Sequence, residues 1–180
     1  MSGAAELTEE DLTRSLAYAG FVLVAYELVK SLIVTPIKAF YSNTTFGAGM
    51  TFKSYEEDVL SRHSNVFEAC LLYLRDFMKA LDSDDLLAIQ GLRKHRNDLA
   101  HNLANKLHHL EIESYGPLLE KVDRALFKLS NYRTYMEIGS DPEFQNKGIN
   151  WDTVKGAEYA IFEEVLKKVR ILSKGAQIDA

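Results

Sequence analysis

Apolar residues recur along this chain at steps of three and four, and nowhere do they alternate over the length of a strand. That period predicts helices. The first predicted helix runs from about Glu9 to Tyr41, with Leu12, Leu16, Ala19, Leu23, Tyr26, Ile33, Ile37 and Phe40 on one side. Phe21, Val24, Leu28 and Leu32 form a second apolar edge. A helix apolar over so much of its circumference is either central or shared with a partner. Pro36 is expected to kink or break it, because proline removes a backbone donor and crowds the preceding turn.

SNTTFGAGMTF has no period and two glycines, and reads as a loop. Ser54-Tyr55-Glu56-Glu57 has the spacing of a capping box. It opens a second helix with Val59, Val66, Cys70, Tyr73, Phe77 and Leu81 on one face. Asp82 and Ser83 end that helix and restart the chain, and Asp84 and Asp85 suit the positive first turn of a third. The third helix carries Ile89, Leu92, Leu99, Leu103, Leu107 and Leu110 as its core stripe. Gly116-Pro117 marks the start of a fourth, with Leu118, Val122, Ala125, Leu129, Tyr132 and Met136. GSDPEFQNKGIN is a loop, and Asn150 or Asp152 caps a fifth helix whose face is Val154, Ile161, Val165, Val169 and Leu172, ended by Gly175. Short connections make neighbours antiparallel, so the expected fold is all-α: an up-and-down bundle of about five helices in one domain, residues 1–180, with residues 1–8 as a flexible tail.

Charge changes this picture in one place. The net charge of −5 argues against nonspecific coating of nucleic acid. Yet between Arg93 and His109 the fixed charges are Arg93, Lys94, Arg96 and Lys106 against Asp98 alone, and four of the chain's five histidines (His95, His101, His108, His109) lie in that window. The single cysteine, Cys70, sits among Phe67, Leu71 and Tyr73 and reads as core, with no disulfide framework. The acidic start MSGAAELTEED lacks the positive segment of a signal peptide. Glu27, Lys30 and Lys38 interrupt the apolar first helix before an uncharged run reaches about 18 residues. A cytoplasmic protein with a buried first helix, and no membrane partner, is expected.

The third helix is the candidate site. At about 100° per residue, with Leu92 as zero, Leu99, Leu103 and Leu110 fall within about 20°, and Arg96 lies at about 40°, inside the apolar stripe. A guanidinium there is costly unless it is paired or lines a site, and Glu27 on the first helix is a candidate partner. Asn97 at about 140° and His101 at about 180° share the polar side with Gln90, Lys94, Asn105 and His108. Taken singly, Arg96 reads as a structural ion pair and His101 as a solvated side chain.

Together, Arg96-Asn97-Asp98-Leu99-Ala100-His101 resembles the R-x4-6-H motif of HEPN domains, with the polar residue after the arginine in place. The third long helix of an all-helical domain is the motif's setting. The acidic residue in Tyr26-Glu27-Leu28-Val29-Lys30 adds a softer likeness. As architecture the resemblance covers most of the chain; as specific residues it covers these six. It implies a metal-independent endoribonuclease, without cofactor, active as a homodimer on RNA, and often a toxin or antiviral defence component with an antitoxin or defence-system partner. In that chemistry the 2′-OH attacks the adjacent phosphate and leaves a 2′,3′-cyclic phosphate and a 5′-OH. Histidine suits the proton transfer near neutral pH, and a guanidinium suits the phosphate charge. The implied roles are proton transfer for His101, phosphate stabilisation for Arg96, orientation for Asn97, and a neighbouring phosphate for Lys94.

On one straight helix Arg96 and His101 point about 140° apart, so the reading requires a two-fold pair that brings both copies into one cleft. Rival chemistries are weaker. His101 and His108 share a face, and His108-His109 precede Glu111 and Glu113, but no H-E-x-x-H or cysteine pair is present. No G-x-S-x-G and no phosphate-binding G-x-x-x-x-G-K-[ST] occurs. The serious alternative is a non-catalytic HEPN-like module for dimerisation, RNA binding or protein interaction. An inert immunity partner suits the acidic chain but not the basic helix.

Overall fold

The computed structural model describes residues 8–47, 49–107, 110–139, 141–145 and 147–173. Among these residues every regular element is helical. They are α1 (Glu9–Asn43), the single turn α2 (Tyr55–Asp58), α3 (Val66–Asp76), α4 (Ser83–Lys106), α5 (Gly116–Ile138), the single turn α6 (Pro142–Gln145) and α7 (Ala157–Ser173), with 3-10 turns at 60–62, 112–115 and 151–153. The long helices α1, α4, α5 and α7 form a ring in that order, and α3 lies outside it against α1 and α4.

Side-chain ties fix the directions. Arg14, early in α1, donates from Nε to the carbonyl of Leu172 at the end of α7 at 2.8 Å. The amide of Gly156, just ahead of α7, donates to Ser130 Oγ, late in α5, at 2.8 Å. Lys128 of α5 reaches Asp82 and Asp85 at the start of α4 at 2.8 and 2.7 Å. Neighbours are therefore antiparallel, and the ring is an up-and-down bundle around one contiguous core. Gly91 lets α4 and α5 close up: a Cβ there would meet Leu118 Cδ1 at 2.8 Å.

Local chemistry explains where the elements differ from the sequence reading. Thr8, assigned to the tail, is the α1 N-cap and accepts from the Asp11 amide at 3.1 Å. Pro36 does not break α1. The Leu32 carbonyl, which would have received the proline's missing N–H, receives Arg133 Nη1 of α5 at 3.4 Å instead. The second predicted helix is two. Ser54 caps only the turn α2, and α3 starts afresh at Asn65, whose side chain accepts from Phe67 and Glu68. Asp82 and Asp85 form the capping box that starts α4.

Asn150 caps the 3-10 turn at Trp151 rather than α7. The buried face of α7 is Tyr159, Phe162, Leu166, Val169 and Leu172, leaving Ile161 exposed. Leu16, Phe40 and Met136 are exposed members of predicted core stripes, and Leu110 lies beyond the end of α4. Gly175, His108 and His109 fall outside the described residues.

By length and composition α1 could cross a membrane, since one window averages a hydropathy of 1.6. In the bundle it is the central helix, packed against α3, α4 and α7, with Tyr18, Val22, Val29 and Ile33 fully buried.

Candidate functional site on helix α4

The candidate residues sit on the second half of α4, beyond the stretch covered by α3. That cover ends with Gln90 and Arg93, which both bind Glu68 of α3, at 2.7 and 2.5 Å. Past it, α4 rests on α1 and α5 and shows its outer face to solvent. His101 and Lys94 are exposed there, and Asn97 is half-buried.

Arg96 lies at the seam with α1. Its Nη2 pairs with Glu27 Oε1 at 3.1 Å, its Nη1 donates to Asn97 Oδ1 at 3.1 Å, and its guanidinium carbon stands 5.1 Å from the Tyr26 ring centroid. Its Nε–H is buried without an acceptor among the described residues. The proposed structural partner is thus the one found, and it is a soft one. Glu27 is half exposed and also shared with Lys30 at 3.4 Å. Exposed pairs of this kind contribute about 0–1 kcal/mol, while an unmet buried donor costs about 1–3 kcal/mol. A phosphate could therefore compete for this guanidinium. The Asn97 carbonyl oxygen faces Arg96, so among the described contacts the asparagine orients the arginine rather than the histidine.

The basic window is largely neutralised by packing. Arg93 has Glu68, Arg96 has Glu27 and Lys106 has Asp98, leaving Lys94 as its one cation without a carboxylate among the described residues. Lys106 also holds the Asp98 carboxyl below the usual range, helped by Asn102. Sequence reasoning counts these cations correctly and names Glu27 of α1 for Arg96, but it does not see Glu68 arriving from α3.

It also passed over His95. This side chain is 4 % exposed, with Nε2 at 2.9 Å from the Tyr18 hydroxyl. Its ring stacks on Tyr115, with centroids 3.5 Å apart. Nδ1 has no partner among the described residues. Protonation would thus create an imidazolium N–H with no acceptor in an apolar site, and burial pushes the His95 pKa down to about 4. The same burial pushes the Tyr18 hydroxyl up. His95 is a neutral core residue near neutral pH, one position before Arg96. The helical wheel offered a signal: His95 lies about 60° from Leu92, on the side opposite Arg96.

Arg96 and His101 share no contact. They are five positions apart, about 7.5 Å along the axis, and face different directions. Among the described residues no group of three histidine, cysteine or acidic side chains could hold a metal ion. No protein-family model, curated protein or solved structure matches the chain.

Proposed function

We propose that this protein is a cytoplasmic, metal-independent endoribonuclease of HEPN type, acting as a homodimer with a composite site. The observation that supports the reading best is an arginine restrained by one exposed carboxylate, five positions before a solvent-open histidine, with Asn97 bonded to the arginine. Arg96 exchanges Glu27 for a phosphate oxygen, and the 2′-OH of the preceding ribose attacks phosphorus. The new P–O2′ bond forms as the P–O5′ bond breaks. The 2′ proton leaves by way of His101, and the 5′ oxygen gains one.

Because the two side chains diverge, the second copy supplies what one copy lacks. The outer face of α1 beside Glu27 suits that contact: Leu16 and Val24 are 48 and 49 % exposed, with the exposed Gly20 between them. Lys94 holds a flanking phosphate. A toxin or antiviral defence component fits this chemistry, with an antitoxin or defence-system protein as a further partner.

The test is cleavage of mixed RNA in excess EDTA by wild type and His101→Ala, with sedimentation of both. Cutting by the wild-type dimer alone, leaving cyclic phosphate ends, supports the reading. Equal cutting by both removes His101 from the chemistry, and a strict monomer removes the composite site.

A second reading has its own support. Glu27, Asn97 and Tyr26 together already give Arg96 a structural place, as a non-catalytic HEPN-like interaction module would. Arg96→Lys separates the two. It keeps the charge but loses the guanidinium fork, so an enzyme loses activity while a scaffold keeps its fold and dimer.

A further inference from the structure

A second candidate site lies at the far end of α1. Lys38 is eleven positions beyond Glu27, about 17 Å along the helix axis, so this region is separate from Arg96 and His101. Here Lys38, Tyr41 and Ser42 of α1 face Phe46, Lys53 and Tyr55 of the following loop and α2 across a cavity of about 420 Å³. That volume is within the range of small-ligand sites, roughly 300–1,000 Å³.

The chemistry of the lining is specific. The lysine ion pairs among the described residues use Lys30, Lys106, Lys128, Lys147, Lys155 and Lys167, but neither Lys38 nor Lys53. Among the described residues Glu56 is the one carboxylate in the lining, so two cations face one anion on a protein of net charge −5. The tyrosine hydroxyls are turned to other tasks. Tyr41 donates to Asp58 Oδ2 at 2.8 Å, and Tyr55 OH lies 3.8 Å from Cys70 Sγ. What these residues offer a ligand is therefore ring surface. Phe46 adds another ring, stacked on Phe52 with centroids 5.7 Å apart.

The frame is also held in place. Asp58 is buried, at 7 % exposure, and receives both the Tyr41 hydroxyl and the Lys53 amide at 2.8 Å. One buried carboxylate thus fixes an aromatic wall and the backbone of a cationic wall.

We propose that this cavity binds a small aromatic phosphate of the nucleoside monophosphate class. The phosphate lies between the Lys38 and Lys53 ammonium groups with the Ser42 hydroxyl in reach, and the ring lies against Phe46, Tyr41 and Tyr55. Paired cations supply the anion site, and aromatic faces accept a planar base without reading its identity. The inference stands apart from the ribonuclease reading.

Calorimetric titration of the full-length protein with AMP tests it, with adenosine, inorganic phosphate and a 5′-phosphorylated trinucleotide as further probes. AMP is expected to bind at least about tenfold tighter than adenosine or phosphate alone. Lys38→Ala and Lys53→Ala are each expected to weaken it about tenfold, and Phe46→Ala to weaken it as well. His101→Ala is expected to leave binding unchanged, which keeps this result distinct from the cleavage result. Trinucleotide binding that is much tighter than AMP, and equally lysine-dependent, identifies the phosphate as an RNA end. Comparable or weaker binding identifies a free nucleotide. The proposal is overturned if neither AMP nor the trinucleotide gives saturable heat at millimolar concentration. It is equally overturned if the Lys38→Ala/Lys53→Ala double variant, folded by circular dichroism, binds as wild type does, or if inorganic phosphate matches AMP.

Discussion

Helix α4 carries two histidines six residues apart that have opposite fates. His95 is enclosed by Tyr18 and Tyr115, hydrogen-bonded on one nitrogen only among the described residues, and held neutral by burial. His101 stands in solvent on the outer face of the same helix. One helix turns through its core-facing and water-facing sides within two turns, and that alone makes one imidazole a packing element and leaves the other in water. Composition groups the two as a histidine-rich segment; geometry assigns them different work.

The largest effect that would sharpen this contrast is on activity. If His101 moves the proton, His101→Ala lowers RNA cleavage by about 10²–10⁴-fold. As an exposed site it leaves stability within about 0.5 kcal/mol. Single-turnover cleavage and urea melts on the same preparation read both quantities. A variant that loses stability along with activity would break the comparison.

His95→Ala is expected to do the reverse. Removing a buried ring that stacks on Tyr115 and hydrogen-bonds Tyr18 costs about 2–4 kcal/mol, read from the denaturation midpoint. Activity at low temperature, where the variant remains folded, should change far less than in His101→Ala.

Acid should act through His95 as well. The unfolded chain binds this proton near pH 6.5, whereas the folded protein resists it until about pH 4. In between, the unfolded state holds more protons, so stability present above pH 6.5 is lost as pH falls towards 4, by at most about 1.4 kcal/mol per unit from this group. His95→Phe should flatten that part of the stability curve, and His101→Ala should leave it in place. Equal slopes in all three proteins would show that the acid response originates elsewhere.

How much of this was legible in the sequence follows from the range of each interaction. Local signals read well: the restart at Asp82-Ser83, the Gly116-Pro117 start and the Ile89, Leu92 and Leu99 part of the α4 stripe each depend on residues within a few positions. Of the long-range contacts, Arg96 with Glu27 was inferred because a guanidinium in an apolar stripe demands a carboxylate, and α1 offered one. The break allowed for at Pro36 does not occur, because the rescue of the Leu32 carbonyl comes from Arg133, about a hundred residues away in the chain. His95 was missed because the tyrosines that enclose it come from α1 and from the turn before α5. The split between α2 and α3 turned on Asn65, a cap that a continuous apolar period concealed.

The smallest effect decides most about Arg96. Glu27→Gln removes the carboxylate but keeps its shape and hydrogen bonding, and because the pair is exposed the stability change should be within about 1 kcal/mol. If Arg96 serves a phosphate, Glu27 is its competitor in the free protein. The variant should then bind a cleavage-resistant 2′-O-methyl RNA more tightly than wild type, by fluorescence anisotropy. Any gain should shrink as salt screens the charge that was removed. If Arg96 is instead a structural residue, the glutamine leaves the guanidinium at the α1–α4 seam without its counter-charge. Stability should then fall by more than an exposed pair accounts for, and RNA affinity should not rise. The two readings predict opposite orderings of the same two measurements, so a single conservative substitution at the edge of the site distinguishes an arginine held in reserve from one that has already found its partner.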